Sequence, residues 1–400
     1  MKKKINNKFV NKILSPGRAV TGWAREKFSV LGREKPIVRV LMYPAAEQNP
    51  YLIVTKDHLE RLGAEVTMLH DLDSSELLRQ AARHDILHIY NIQEYQGTSA
   101  SSETISQISN FYKRVGRMWF TKRMGLKVFW TLYNEPKGNY ASEWLEKVGR
   151  KWMFSQADRI IAPSLATRRV MRDLYPDLTE SKVIHLPHHN FDNYFPRQVN
   201  RKQALDHLGI KPKGKVFICF GGIHPYKGLA DVIPLFGKHS LRDHTLIVAG
   251  SPSNKHYAST IEGLCSRYDN VHAFLRYIPR DDVQYYLQAA DIFVMPYKDV
   301  LNSGSTMLAL SFGKPVVAPN MGMIPEILNP ACSVLFDSAG SSQLRQAMVK
   351  SLDLDLERAS AEARAVCAEY SAERLTRQLI NSYLDFFPDR QKIDEEAEEL

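Results

Sequence analysis

The residues best suited to chemistry are Asn302-Ser303-Gly304-Ser305-Thr306, where three hydroxyls, an amide and a glycine fall in five consecutive positions. They follow the apolar run Ile292–Met295, which reads as a buried parallel strand. They precede a helical pattern over Met307–Phe312 that stops at Gly313. A polar turn between a strand's carboxyl end and a helix's amino end directs free backbone N–H groups outward, where the helix dipole favours an anion. Gly304 would let the chain approach closely, and Ser303, Ser305 and Thr306 would add hydroxyl donors. The chemistry is capture of a phosphate or diphosphate. The competing reading is that Ser305 simply caps a helix.

A second stretch, Gly221-Gly222-Ile223-His224-Pro225-Tyr226-Lys227-Gly228, follows the apolar run Val216–Phe220. Lys227 is the best placed charge to neutralise a diphosphate; the alternative is a solvated surface lysine. His224 would donate to phosphate only when protonated, and contributes less as a neutral ring. Tyr277 occupies a comparable position after Val271–Phe274.

The segment Phe220–Gly228 and the segment PYKDVLNSGSTMLALSFGKPVVAPNMGMIPEI, which runs from Pro296 to Ile327, resemble the donor-binding regions of bacterial GT-B glycosyltransferases. These are family-four-like enzymes that use nucleotide sugars to build exopolysaccharides and lipid-linked glycans. The resemblance covers most of residues 37–387. It implies a donor site of Gly221, Gly222, His224, Lys227, Tyr277, Asn302, Ser303, Gly304, Ser305, Thr306 and Glu326, with no metal or other cofactor required. Glu326 also fits the start of a helix, where a carboxylate caps. Two departures stand out. Retaining relatives carry two glutamates with seven residues between them, and the aligned positions here are Val300 and Leu308. Many relatives also place an arginine where this chain has Gly222 or His224. The usual ribose contact therefore does not carry over, and the stereochemistry stays open.

Open parallel sheets bind ligands beyond the carboxyl ends of their strands. In the first half of the chain this selects Glu47 and Asn49, Glu94, and Tyr133-Asn134-Glu135. Glu47, Asn49, Tyr133 and Asn134 are candidates for acceptor contact. His88, in Asp85-Ile86-Leu87-His88, resembles a family contact. An inverting transfer needs a base within about 3 Å of the acceptor hydroxyl. Glu47, Glu94 and Glu135 are the plausible carboxylates, with Glu94 ranked first and His88 beside it. A retaining transfer needs none of them. His185, His188 and His189 do not follow zinc-ligand spacing and read as hinge-lining or acceptor-contact residues.

Stepwise alternation of apolar runs and helical patterns positions these loops. Expected strands are Ile37–Tyr43, Glu65–Leu69, Ile86–Tyr90, Lys127–Leu132, Arg159–Ala162 and Val183–Leu186. After a break at 188–201 the series resumes with Val216–Phe220, Thr245–Ala249, Val271–Phe274, Ile292–Met295, Val316–Ala318 and Val334–Phe336. The fold class is α/β: two doubly wound, Rossmann-like domains with parallel sheets facing an interdomain cleft. The expected divisions are a basic arm (1–36), an acceptor domain (37–195), a donor domain (196–370), a helix crossing back to the first domain (371–388) and an acidic tail (389–400). One helix is expected over Ser341–Ala368.

At 400 residues the chain suits two cores. Its net charge of +9 is unevenly placed: residues 1–36 carry +8 and residues 389–400 carry −4. A basic footprint confined to a tail argues against nucleic acid as a partner. Lysines beside Ile5, Phe9, Ile13 and Trp23 fit a segment lying on anionic lipid, or else a basic tail. Trp119 and Phe120 sit among several cations, and fit lipid contact or a packing helix with a basic face. Four scattered cysteines suit a reducing compartment. No secretory leader and no membrane span are expected. The resulting expectation is a glycosyltransferase peripheral to the cytoplasmic face of the plasma membrane. It would move a sugar from a UDP- or GDP-linked donor to a lipid-linked glycan or polysaccharide. A nucleotide-sugar epimerase of the same fold, or an inactive nucleotide-sugar-binding protein, are the alternatives.

Overall fold

The computed structural model describes residues 36–45, 48–72, 75–90, 116–133, 151–174, 180–191, 193–237, 241–337 and 340–394. Two six-stranded sheets dominate, and every pairing in both is parallel. The first holds β1 (Arg39–Tyr43), β2 (Glu65–Met68), β3 (Ile86–Ile89), β4 (Lys127–Thr131), β5 (Arg159–Ala162) and β6 (Val183–His185), in the order β2-β1-β3-β4-β5-β6. The second holds β7 (Val216–Phe220), β8 (Thr245–Ala249), β9 (Val271–Phe274), β10 (Ile292–Val294), β11 (Val316–Pro319) and β12 (Ser333–Phe336), in the order β12-β11-β10-β7-β8-β9. Each expected strand is present, within two residues at either end. The reason is burial: strands covered on both faces read as unbroken apolar runs, and β3, β8, β10 and β11 are buried at every position.

Both strand orders place a topological switch where chemistry is expected. In the second sheet the order reverses between β7 and β10, so the loops carrying Gly221 and Gly304 leave from adjacent strands. In the first it reverses between β1 and β3, next to Asn49 and Tyr90. The loops of the second sheet are tied together by backbone bonds. Gly221 N–H donates to Ala249 O at 3.0 Å, and Gly250 N–H to Phe274 O at 3.0 Å.

The helix Ala372–Leu384 packs on Pro50–Arg61 of the first lobe. Its Tyr383 is buried edge-on to Phe129, with ring centroids 4.8 Å apart. The expected helix over Ser341–Ala368 is instead two, Ser341–Lys350 and Leu356–Ala368. Asp355 interrupts it by accepting from Glu357 N and Arg358 N, at 3.1 Å each, which starts the second helix afresh. All four cysteines are buried and free. Among the described residues, no helix is long and apolar enough to cross a membrane.

Candidate active site

A cleft of ≈ 820 Å³ lies between the two sheets' carboxyl ends, a size suited to a small organic ligand. Its second-lobe wall is built over Gly221, whose φ of +111° is a left-handed conformation that favours glycine. A Cβ added there would sit 3.5 Å from Lys227 Nζ and 3.6 Å from Ser305 Oγ. An ammonium and a hydroxyl thus converge on the same small hollow. Gly250 beneath it has no room for a side chain, since a Cβ would fall 1.8 Å from Gly221 O. Lys227 closes the one-turn helix Pro225–Lys227, and its Nζ lies 5.2 Å from the centre of the Tyr297 ring.

The turn divides its labour in a way its composition does not reveal. Ser303 is the N-cap of Gly304–Ser311: its Oγ accepts from Thr306 N at 3.3 Å, and its own N–H meets Met323 Sδ at 2.8 Å. Thr306 is fully buried, with Oγ1 3.7 Å from Met295 Sδ. Ser303 and Thr306 therefore hold the helix in place and do not reach the cleft, a correction to their expected donor contact. Gly304 and Ser305 do line it. They present the first-turn N–H groups that a helix leaves without internal partners.

Two further expectations change. Asn302 turns away from the donor hollow and binds the first lobe. Its Nδ2 donates to Tyr133 O at 2.7 Å and Thr167 Oγ1 at 2.9 Å, while its Oδ1 accepts from Ser164 Oγ at 3.0 Å. Glu326 likewise reaches across the lobes. Its Oε2 accepts from Leu165 N at 2.7 Å and its Oε1 from Ala166 N at 2.6 Å, capping the helix Leu165–Leu174. Both residues link the lobes, and neither lines the cleft as the donor assignment expected.

Of the remaining donor candidates, Gly222 and half-exposed Tyr277 line the cleft. His224 stands beside it, stacked on Tyr226 at 5.5 Å, with Nε2 3.2 Å from where a Gly222 Cβ would lie. Burial, then the neighbouring Lys227 charge, lowers its pKa, so the ring is neutral near pH 7.

On the first-lobe wall, Asn49 and Tyr133 line the cleft. Asn49 Oδ1 also caps Pro50–Arg61 through Tyr51 N at 3.1 Å. His88 does not belong to the site. It is fully buried beneath it, with Nδ1 2.5 Å from Tyr383 OH and Nε2 2.8 Å from Thr131 Oγ1. Burial holds its pKa well below the ordinary histidine value. Both nitrogens are engaged, so it cannot reach a substrate. Glu47, Glu94, Asn134 and Glu135 lie outside the described residues.

Sequence reasoning named Tyr133 and His188 singly but not the aromatic cluster they form with Tyr51 and Tyr90 on this wall. Tyr51 stands 5.8 Å from Tyr90, 5.6 Å from Tyr133 and 4.3 Å from His188, measured between ring centres. Arg280, also missed, lines the far end, where it donates to Tyr194 O at 2.6 Å. The available signal was position: Tyr90 immediately follows β3, and Tyr51 opens the helix that follows β1. Among the described residues, no three His, Cys, Asp or Glu side chains gather as metal ligands.

Two Rossmann-like lobes, with an anion hollow on one wall of the cleft and an aromatic face on the other, define the GT-B class of nucleotide-dependent transferases. Residues 200–374 match the family described as glycosyl transferases group 1. It is 23% identical, over 313 residues, to a GDP-mannose:glycolipid 4-beta-D-mannosyltransferase of Xanthomonas campestris pv. campestris; the match covers 76% of this chain and 80% of that protein. It is 30% identical, over 186 residues, to a GDP-mannose-dependent monoacylated alpha-(1-6)-phosphatidylinositol monomannoside mannosyltransferase of Corynebacterium glutamicum, covering 44% of this chain and 48% of that one. The fold is shared with Anabaena HepE in complex with UDP (TM-score 0.68, 13% identity, 87% of this chain and 99% of that chain). It is shared also with sucrose-phosphate synthase from Thermosynechococcus elongatus (TM-score 0.66, 15% identity, 89% of this chain and 100% of that chain).

Proposed function

We propose that this glycosyltransferase moves mannose from GDP-mannose to a lipid-linked glycan. The observation carrying the donor half is the convergence of Lys227 Nζ and Ser305 Oγ over Gly221, at the start of Gly304–Ser311. A diphosphate seated there meets one full positive charge, one hydroxyl donor and the helix's free N–H groups. GDP-mannose recurs in the relatives' names, which supports it as the donor in this reading. The glycolipid and phosphatidylinositol mannoside in the same names support a lipid-linked acceptor.

In the transfer, an acceptor hydroxyl attacks the sugar's anomeric carbon as the bond to the diphosphate oxygen breaks, and the hydroxyl proton passes to a base or to the departing phosphate oxygen. Negative charge grows on the departing phosphate, where Lys227, Ser305 and the Gly304–Ser305 amides already point. Donors fixed in advance where charge develops are typically the largest catalytic contribution. In this reading, protein groups neutralise the leaving group. The Tyr51, Tyr90 and Tyr133 wall offers flat apolar surface with polar tips, suited to a sugar ring.

The reading places the protein peripherally on the cytoplasmic membrane face. Trp119 and Phe120 are 47% and 48% exposed, with the Arg123 guanidinium 4.3 Å over the Trp119 ring. An aromatic pair flanked by cations suits an anionic headgroup layer. The basic arm expected to assist lies outside the described residues.

The experiment is mannose transfer from radiolabelled GDP-mannose to lipid-linked oligosaccharide in anionic vesicles, with UDP-glucose in parallel and EDTA in one arm. Acceptor-dependent labelling that survives EDTA and falls by about 10²–10³ in Lys227→Met supports the reading. Donor consumption without acceptor, or labelling abolished by EDTA, contradicts it.

A further inference from the structure

His188, expected from sequence to line the hinge or touch the acceptor, is a cleft residue to which the donor assignment above gives no role. It leaves the first lobe just after β6 and sits where the two walls meet. Its Nδ1 lies 2.6 Å from His189 O, and a carbonyl can only accept, so Nδ1 carries the proton. The ring is packed against Tyr51 at 4.3 Å, Tyr133 at 5.6 Å and Phe191 at 5.5 Å. Burial among them, then the adjacent His189, pushes its pKa down to about 3. The ring is therefore neutral, with a lone pair on Nε2. That atom faces the anion turn: a Cβ added to Gly304 would lie 3.4 Å from it.

The electrostatics of the junction make this lone pair unusual. Around Gly221 and Gly304 the turn offers donors: the Lys227 ammonium, the Ser305 hydroxyl and backbone N–H groups. Among the described residues lining the cleft there is no carboxylate. Of the two side-chain amides on the opposite wall, Asn49 Oδ1 is engaged in capping and Gln48 is exposed to solvent. A sugar joined to a diphosphate in that hollow brings hydroxyls to a wall where the described side chains offer few acceptors.

We infer that His188 is a specificity-determining residue that accepts a hydrogen bond, through Nε2, from a hydroxyl of the donor sugar close to the diphosphate. This rests on the nucleotide-sugar reading of the cleft. The His189 carbonyl fixes the tautomer, and the Tyr51 and Tyr133 rings fix the ring plane, so the acceptor is preorganised. A site built around a substrate hydroxyl rejects the analogue that lacks it.

The test separates this inference from the reading it depends on. Binding of GDP, UDP, GDP-mannose and a set of monodeoxy GDP-mannoses is measured for the wild type, His188→Ala, His188→Asn and His188→Gln. Wild-type binding of neither diphosphate overturns the nucleotide-sugar reading itself. If a diphosphate binds, His188→Ala is expected to hold it as the wild type does while losing about 10–100-fold in affinity for GDP-mannose. Gln, whose amide reaches the place of Nε2, recovers part of that loss. Asn, whose amide replaces only Nδ1, does not. One monodeoxy sugar binds weakly to the wild type and loses nothing further in His188→Ala. Equal loss of diphosphate and sugar nucleotide, or no loss of either, overturns the assignment. Should the Ala variant fail to fold, wild-type binding of every monodeoxy sugar at parental affinity overturns it equally.

Discussion

Removing the Glu326 carboxylate tests whether the seam between the lobes is held where the structure places it. The side chain is 19% exposed and accepts two backbone N–H bonds, from Leu165 at 2.7 Å and Ala166 at 2.6 Å. Hydrogen bonds to a charged group contribute about 1.5–3 kcal/mol each, and loss of an N-cap costs about 0.5–2 kcal/mol. Two such bonds, less the hydration the freed amides regain, give about 2–4 kcal/mol for Glu326→Ala. Glu326→Gln keeps one oxygen and should lose about half of that. Arg169, the ion-pair partner, is 68% exposed and 3.5 Å away, so Arg169→Ala should change stability by less than about 0.5 kcal/mol. Urea unfolding gives the three values, and amide hydrogen exchange locates them. Leu165 and Ala166 should exchange faster in Glu326→Ala, while Thr167, whose N–H is capped by Ser164 Oγ at 3.0 Å, should change less. A Glu326→Ala protein within 0.5 kcal/mol of the wild type, or an Arg169→Ala protein as weak as it, would refute this reasoning.

Other outcomes follow from the same geometry. Gly250→Ala should cost about 3 kcal/mol or more, because its Cβ would meet Gly221 O at 1.8 Å in a left-handed conformation; chemical denaturation reads this directly. Gly221→Ala has space by comparison, and should fold at a cost of about 1–2 kcal/mol yet obstruct the hollow and weaken nucleotide binding. Acid should destabilise the protein well before its carboxylates titrate. His188 and His189 are held down to about 3 and about 4, chiefly by burial, and His88 is held low for the same reason. The unfolded chain takes protons on all three below about pH 6.5, and the fold refuses them, so stability falls as pH falls from 6.5 toward 4. Three protons correspond to about 4 kcal/mol per pH unit near pH 5. A slope below about 2 from urea midpoints between pH 5.5 and 4.5 would count against these buried neutral rings.

The sheets were legible in the sequence because a strand covered on both faces is apolar at every position, as Ile292–Val294 and Val316–Pro319 are. The same property hid His88. With both faces of β3 buried, alternation carries no information about which side chains meet solvent. In the anion turn the residue types announced a phosphate site, yet which hydroxyl serves it depends on helical phase. Ser305 faces the cleft, while the hydroxyls of Ser303 and Thr306 both approach Met295 Sδ. Asn302 and Glu326 were misplaced for another reason. Their partners, Tyr133 and residues 164–167, are distant in sequence and meet them only once the lobes associate. His188 was named from sequence at the lobe junction; its tautomer and its approach to Gly304 required coordinates.

Calorimetric titration of the full chain with GDP and UDP, repeated on Lys227→Met, tests the central assignment most directly. Saturable binding of at least one diphosphate to the wild type, weakened about tenfold or more in Lys227→Met, is the predicted result. A wild-type protein that binds neither diphosphate, or a Lys227→Met protein that binds as tightly as the wild type, would contradict the assignment of the Gly221 hollow to a diphosphate.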